Sequence, residues 1–153
     1  MRLLPRALYY FLYIQWHLRK AQFLDKTVHH VFEETAQKHP NKVCLRQDDV
    51  SWTFRQLSRY SNQVGNCFLK LGFRPGDEVA LMMENRPEYI AIWLGLAKIG
   101  VVSAFINNHQ RDKALVHAIT CVNAKAIIFG TEFTKREFTS NGFSFDFCMI
   151  FFH

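Results

Sequence analysis

Three apolar runs limit the folds open to this chain more than any other feature: VALMM at 79–83, VVSAFI at 101–106 and AKAIIFG at 124–130. Each is short and bounded by turn or cap residues; the first is unbroken, while Ser103 and Lys125 interrupt the other two. That is the pattern of a strand buried on both faces rather than of a half-exposed strand or a helix. Helical patterns fill the gaps between them. Asn85 is placed to cap the first, with Pro87 and Glu88 in its opening turn. Ile90, Ala91, Trp93, Leu94 and Ala97 give it a broad apolar face, and Gly100 closes it. Asp112 starts the second, with Leu115, Val116, Ile119 and Val122 inward. Strand–helix–strand–helix–strand from Val79 to Gly130 predicts right-handed crossovers in a parallel sheet.

The residues ahead of this unit carry their own signals. Val28, Val31, Phe32 and Ala36 predict a helix over Thr27–Lys38, stopped by the proline in KHPNK. KVCLRQ, Asp48-Asp49 and VSWTF read as a hairpin. Thr53 with Gln56 three residues later forms a capping-box start. The helix it opens carries Leu57, Tyr60, Ser61, Val64, Phe68 and Leu71 on one stripe, and Gly72 suits its left-handed end. RPGDE is a turn.

The N-terminal stretch MRLLPRALYYFLYIQWHLRKAQF is too short in apolar residues, and too aromatic, for a spanning helix. It has no small-residue cleavage site of the secretory kind. Arg2, Arg6, Arg19 and Lys20 flank a block of Tyr, Phe and Trp, and Ala7, Phe11, Ile14 and Leu18 share a helical face. Two readings stand side by side: a segment at a bilayer headgroup zone, or a helix packed on its own domain. The net charge of +6 suits an anionic ligand or surface. The basic residues are spread thinly and no reader motif accompanies them, so nucleic acid is not expected.

Sites of chemistry are sparse. The sequence has no Gly-x-x-x-x-Gly-Lys-Ser/Thr and no Gly-x-Gly-x-x-Gly. Glu84-Asn85-Arg86-Pro87 lies at a strand end and a helix start, where an anion can bind; plain capping is the simpler reading. No serine stands in a nucleophile elbow. His29 and His30 are neighbours, poorly placed on a helix to share one metal, and Asp48-Asp49 and Asp77-Glu78 sit in turns. Cys44, Cys67, Cys121 and Cys148 form no Cys-x-x-Cys, so a zinc site or a disulfide framework is not expected. No residue is assigned a catalytic, cofactor-binding or metal-ligating role.

The last segment breaks the pattern. TKREFTSNGFSFDFCMIFFH is rich in Phe, with neither a helical stripe nor full alternation. It reads either as an edge strand or, as favoured here, as a tail foreign to the original domain, from an interrupted gene or an alternative transcript.

From Ser51 to Ile119 the chain resembles the opening of the adenylate-forming acyl-CoA synthetases. The resemblance rests on Trp52–Leu57, on Gly76–Ala80 (Gly-Asp-x-Val-Ala), on Asn85-x-Pro87 and on Gly95–Gly100 (Gly-x-x-Lys-x-Gly). It is tighter to one branch, the fatty acid transport proteins or very long-chain acyl-CoA synthetases, through WLGLAKIGVVSAFINNHQRDKALVHAI, where Asn107, Arg111, Leu115 and His117 have counterparts. Gln110 departs from the aliphatic residue expected there. LDKTVHHVFEETAQKHPNKVCL is similar to the same branch, so the likeness runs from about Phe23 to Thr131.

The resemblance implies an α/β fold: a partial N-terminal domain of an adenylate-forming enzyme, with a β-hairpin followed by the parallel unit. It implies three segments: 1–22, an aromatic and basic N-terminal segment; 23–131, a partial AMP-dependent synthetase domain; and 132–153, the Phe-rich tail. It implies a chemistry in which ATP, Mg2+ and coenzyme A convert a long-chain fatty acid first to an acyl-adenylate and then to a thioester. The family's Pro-Lys phosphate loop, adenine motif, ribose-binding Asp and lid lysine have no counterparts here. The leading expectation is therefore an N-terminal fragment of a long- or very long-chain fatty acid–CoA ligase, inactive by itself. It is membrane-associated, on the cytoplasmic face of the endoplasmic reticulum or plasma membrane. The alternative is a non-catalytic lipid-surface or regulatory module that docks on a full-length synthetase.

Overall fold

The computed structural model describes residues 4–23, 27–110, 112–130 and 148–152. It divides into two compact units, residues 1–39 and 40–153. The first holds α1 (Leu4–Phe23) and α2 (Val28–Lys38). The predicted N-terminal helix is thus present, and every side chain from Arg6 to Lys20 is exposed, Ala7, Phe11, Ile14 and Leu18 included.

The second unit opens with the expected hairpin, β1 (Val43–Gln47) and β2 (Val50–Thr53), paired antiparallel. Asp48 takes the left-handed conformation that a tight turn needs (φ 48°). Helix α3 (Phe54–Lys70) then starts on a complete capping box. The Gln56 amide donates to Thr53 Oγ1 at 3.3 Å, and the Thr53 amide donates to Gln56 Oε1 at 2.8 Å. Its end is a Schellman motif: the Phe73 amide donates to the Phe68 carbonyl at 3.1 Å, and the Phe68 and Phe73 rings meet edge-on at 5.1 Å. Leu71, expected on the inward stripe, is 53% exposed, because it is the C-cap and lies past the last turn that faces the core.

Strands β3 (Glu78–Met82), β4 (Val102–Phe105), β5 (Ala126–Gly130) and β6 (Cys148–Phe152) form one parallel sheet in the order β4-β3-β5-β6. Helices α4 (Pro87–Lys98) and α5 (Asp112–Thr120) connect the first three. The expected parallel strand–helix–strand–helix–strand unit is therefore observed. The segment 131–147, which includes most of the Phe-rich run, lies outside the described residues. Side chains along β3 alternate between two cores. Val79 and Leu81 pack with Val64 and Phe68 of α3, Ile92 and Leu96 of α4, and Ala126 and Ile128 of β5. Ala80 and Met82 pack with Ile119 of α5 and with Ile127 and Phe129 of β5. Burying each of the Val, Leu, Ile, Met and Phe side chains among these contributes about 1.5–3 kcal/mol.

Three expectations are corrected. VVSAFI is not buried throughout: β4 is an edge strand, with Val102 49% and Phe105 54% exposed. An apolar run does not say whether a neighbour will pair on both sides. The deepest positions of α4 are Ala91, Ile92, Leu94, Gly95 and Leu96, while Ile90, Trp93 and Ala97 are half-buried. The helix is covered by α3 as well as by the sheet, so one stripe does not describe it. The third correction concerns Asn85, which does not cap α4. The N-cap is Arg86, extended at φ −151° and ψ 163°, with no side-chain cap bond. Pro87 occupies the first helical position and excludes the helical conformation from the residue before it, which moves the boundary one residue on.

Helices α3 and α4 cross at two glycines. A Cβ built on Gly95 would lie 2.6 Å from the Ser61 carbonyl oxygen and 2.9 Å from Val64 Cβ; one on Gly65 would lie 3.0 Å from the Gly95 carbonyl. Lys98 Nζ ties the crossing, donating at 2.7 Å to both Ser61 Oγ and Asn62 Oδ1.

Candidate functional site

The sheet order creates a switch point. From β3 the chain turns into α4 on one face; from β4, the neighbouring strand, it turns into α5 on the other. Open α/β sheets bind ligands in the crevice this leaves at the carboxyl ends of the strands. Here the crevice lies between the loop after β3 and the loop after β4. It is an open cavity of about 370 Å3, lined by Met83, Asn85 and Tyr89 on one side and by Phe105, Ile106, Asn107, Asn108 and His109 on the other. That volume is in the range of small-ligand sites.

Each wall is held by local bonding. The Ile106 amide donates to the Leu81 carbonyl at 3.0 Å, carrying the β3–β4 ladder to the crevice floor. Asn107 Oδ1 accepts from the His109 amide at 2.9 Å, and the Gln110 amide donates to the Asn107 carbonyl at 3.1 Å. This Asx turn fixes the loop that presents Asn108 and His109. Across the gap, the Tyr89 and Phe105 rings lie 5.5 Å apart, and Trp93 meets Phe105 edge-on at 6.0 Å. Burial pushes the Tyr89 phenol further above its ordinary pKa, which favours the neutral form that can donate a hydrogen bond.

The lining is amide, imidazole and aromatic, with no lysine, arginine or carboxylate. It suits a polar, uncharged group that hydrogen-bonds at its rim and packs on rings. It does not fit a magnesium-bound triphosphate, which needs cations and oxyanion ligands. Among the described residues no group of three His, Cys, Asp or Glu could hold a metal ion.

A second cavity of about 280 Å3 lies between the hairpin and the start of α4, lined by Leu45, Arg46, Gln47, Asn85, Arg86, Pro87 and Ile90. Gln47 Nε2 donates to the Asn85 carbonyl at 2.8 Å and closes the hairpin over the loop. Asn85 thus borders both cavities.

Of the residues singled out from sequence, Asn85 and Asn107 come together at the crevice, and Arg86 lines the second cavity. Arg111 lies outside the described residues. His29 and His30, with ring centroids 4.2 Å apart, share Thr27, the N-cap of α2, and His117 of α5 faces Cys121, just past its end, at 3.5 Å. None of these borders the crevice. Sequence reasoning missed Tyr89, Phe105 and His109. Their one signal was position: Phe105 ends β4, while Tyr89 and His109 follow the ends of β3 and β4, and only the strand order makes those two ends adjacent.

A family model described as "AMP-binding enzyme" matches residues 32–143. The chain is 42% identical over 121 residues to long-chain fatty acid transport protein 1 of Rattus norvegicus, a match that takes in 78% of this chain and 19% of that protein. Among solved structures, an artificially fused adenylation–carrier di-domain, NpsA-ThdA of Klebsiella oxytoca, superposes with a TM-score of 0.71 at 22% identity. That match covers 82% of this chain and 23% of the other, and at such identity it speaks for the fold alone. The anthranilate CoA ligase AuaEII, solved in complex with anthranoyl-AMP, gives a TM-score of 0.65 at 30% identity over 69% of this chain and 20% of its own. The chain therefore spans about a fifth of the length of the relatives it matches.

Proposed function

We propose, on the premise that this chain belongs to the AMP-binding enzyme family, that it forms the N-terminal scaffold of a long- or very long-chain fatty acid–CoA ligase of the fatty acid transport protein type. In that setting a long-chain fatty acid is activated with ATP and Mg2+ and passed to coenzyme A. The likeness to the rat fatty acid transport protein carries this reading. The division at residues 22/23 and 131/132 belongs to it, as does a place on the cytoplasmic face of the endoplasmic reticulum or plasma membrane. The crevice between Tyr89 and Asn107 is this chain's contribution to ligand binding.

By itself the chain does not adenylate. The crevice supplies no charge to neutralise a transferring phosphate, and the second cavity, though lined by Arg46 and Arg86, has no carboxylate to place Mg2+. Purified chain is expected to give no fatty-acid-dependent ATP–pyrophosphate exchange; robust exchange with oleate would overturn the reading.

One observation favours a second reading, a regulatory module that docks on a full-length synthetase. Strand β4 is an edge with no charge and no proline along Val102–Phe105, and with Val102 and Phe105 half exposed. Such an edge is open to pairing. Co-purification of the chain with an intact relative, lost on Ser103→Pro, whose amide faces away from β3, supports docking. A monodisperse monomer in the presence of that relative removes it.

A further inference from the structure

The most exposed apolar surface among the described residues is α1. From Leu8 to Ile14 every residue is aliphatic or aromatic, and each is between 50% and 64% exposed; Trp16 and Leu18 follow at 57% and 54%. Soluble proteins rarely leave so continuous a surface uncovered. Ala7, Phe11, Ile14 and Leu18 lie along one side. Tyr9, Tyr13 and His17 form a ladder along the other, with ring centroids 6.2 and 4.2 Å apart. The Lys20 ammonium sits 5.1 Å over the Trp16 ring. A groove of about 490 Å3 runs past Phe11, Leu12, Gln15, Trp16 and Arg19.

Charge decides what covers this helix. Residues 4–23 contain Arg6, Arg19, Lys20 and His17 and no carboxylate. A copy of the same helix, or any other cationic surface, would repel it. The helix is about 30 Å long, yet no described helix is long and apolar enough to cross a membrane. Rings with polar tips, an aliphatic side and basic ends match the boundary between headgroups and acyl chains.

We propose that α1 docks this chain on an anionic bilayer, lying in the plane of the surface and not across it. Phe11, Ile14 and Leu18 enter the acyl boundary. The Tyr9, Tyr13 and Trp16 rings lie at headgroup level, and Arg6, Arg19 and Lys20 contact lipid phosphates and carboxylates. This deepens the membrane location proposed above and rests on that part of the reading. The acyl-activation part is scored by the exchange assay and is untouched if docking fails.

The test is flotation of the full chain with phosphatidylcholine vesicles, with and without roughly one-third phosphatidylserine. Partitioning is expected on the anionic vesicles and to weaken with added salt. The triple variant Arg6→Gln/Arg19→Gln/Lys20→Gln is expected to lose about a hundredfold in partitioning, from the effect of each basic residue near such a surface. Phe11→Ser/Ile14→Ser is expected to release the chain, while the near-ultraviolet spectrum of the second unit stays unchanged. Brominated lipids are expected to quench Trp16 more strongly from shallow than from deep positions, with the quenching removed by Trp16→Phe. Equal flotation on uncharged vesicles, equal binding of the triple variant, strongest quenching from the deepest bromines, or a dimer that ignores vesicles would each overturn the proposal.

Discussion

Replacing Gly95 with alanine asks whether the α3–α4 crossing is as tight as its geometry indicates. Two terms oppose each other. Alanine in a helix interior is favoured over glycine by about 1 kcal/mol. Against this, the new methyl would lie 2.6 Å from the Ser61 carbonyl oxygen and 2.9 and 3.0 Å from Val64 Cβ and Cγ1, all well inside the 3.4 Å at which ordinary contact begins. Backbone cannot rotate away as a flexible side chain can, so the helices must part. Parting them strains the Lys98 bonds to Ser61 and Asn62 and loosens Val64, which is 3% exposed. Overpacking of this kind costs about 1–3 kcal/mol. Because the closest atom is a carbonyl oxygen, the upper half of that range applies, leaving a net loss of about 1–2 kcal/mol after the propensity gain. For a chain of this size each kcal/mol lowers Tm by roughly 2–4 °C. Urea unfolding of the full chain, followed by circular dichroism, measures the loss directly. Gly65→Ala is the internal control: its methyl would meet the Gly95 carbonyl at 3.0 Å and the movable Ile99 Cγ2 at 3.3 Å. Its strain and its propensity gain nearly cancel. A Gly95→Ala chain as stable as the parent would refute the close crossing.

Thr53→Ala is expected to cost about 1 kcal/mol through loss of the α3 cap, whereas Asn85→Ala should leave the stability of α4 within a few tenths of a kcal/mol, because its side chain caps nothing; urea midpoints of the two variants decide this. Asp77 is held below the usual carboxylate range, first by its hydrogen bond from Lys125 and then by the Arg74 amide. Its contribution is therefore present above the unfolded carboxylate value and lost as pH falls through the lowered folded value. Comparing urea midpoints at neutral and strongly acidic pH for the parent and Asp77→Asn should show the parent losing more stability. Parallel pH profiles would remove Asp77 from the account. Lys98→Met is expected to cost about 1–2 kcal/mol, since Ser61 is fully buried and loses a charged donor; the same urea titration reads it.

What the sequence made legible follows the range of the physics involved. Capping at Thr53, the turn at Asp48-Asp49 and the helix stop at Gly100 are decided within five or six residues, and all are observed. The alternation of strands and helices was equally plain, because burial on both faces writes itself as a short apolar run. The edge position of β4 was not, since Val102 and Phe105 are the same residues whether or not a strand lies beside them. The crevice was hidden for a related reason. Asn85 and Asn107 were each noticed, but nothing local states that β3 and β4 are neighbours, or that their exits turn to opposite faces. Asn85 as a cap failed on a near-neighbour effect that was legible: the proline two residues on fixes which residue precedes the first helical turn.

The middle position of β3 bears on how the chain is made. Of the strands in its sheet it leaves the ribosome first, yet one of its flanks stays bare until Ala126–Phe129 have been synthesised. Until then Val79, Leu81 and their neighbours are committed to a ladder that lacks one rail. The helices can wind as they emerge, but the two layers they cover cannot close. A pause or a proteolytic nick between Phe105 and Ala126 would therefore endanger the centre of this unit rather than its rim, and a chaperone that shields bare strands has its natural window in that interval.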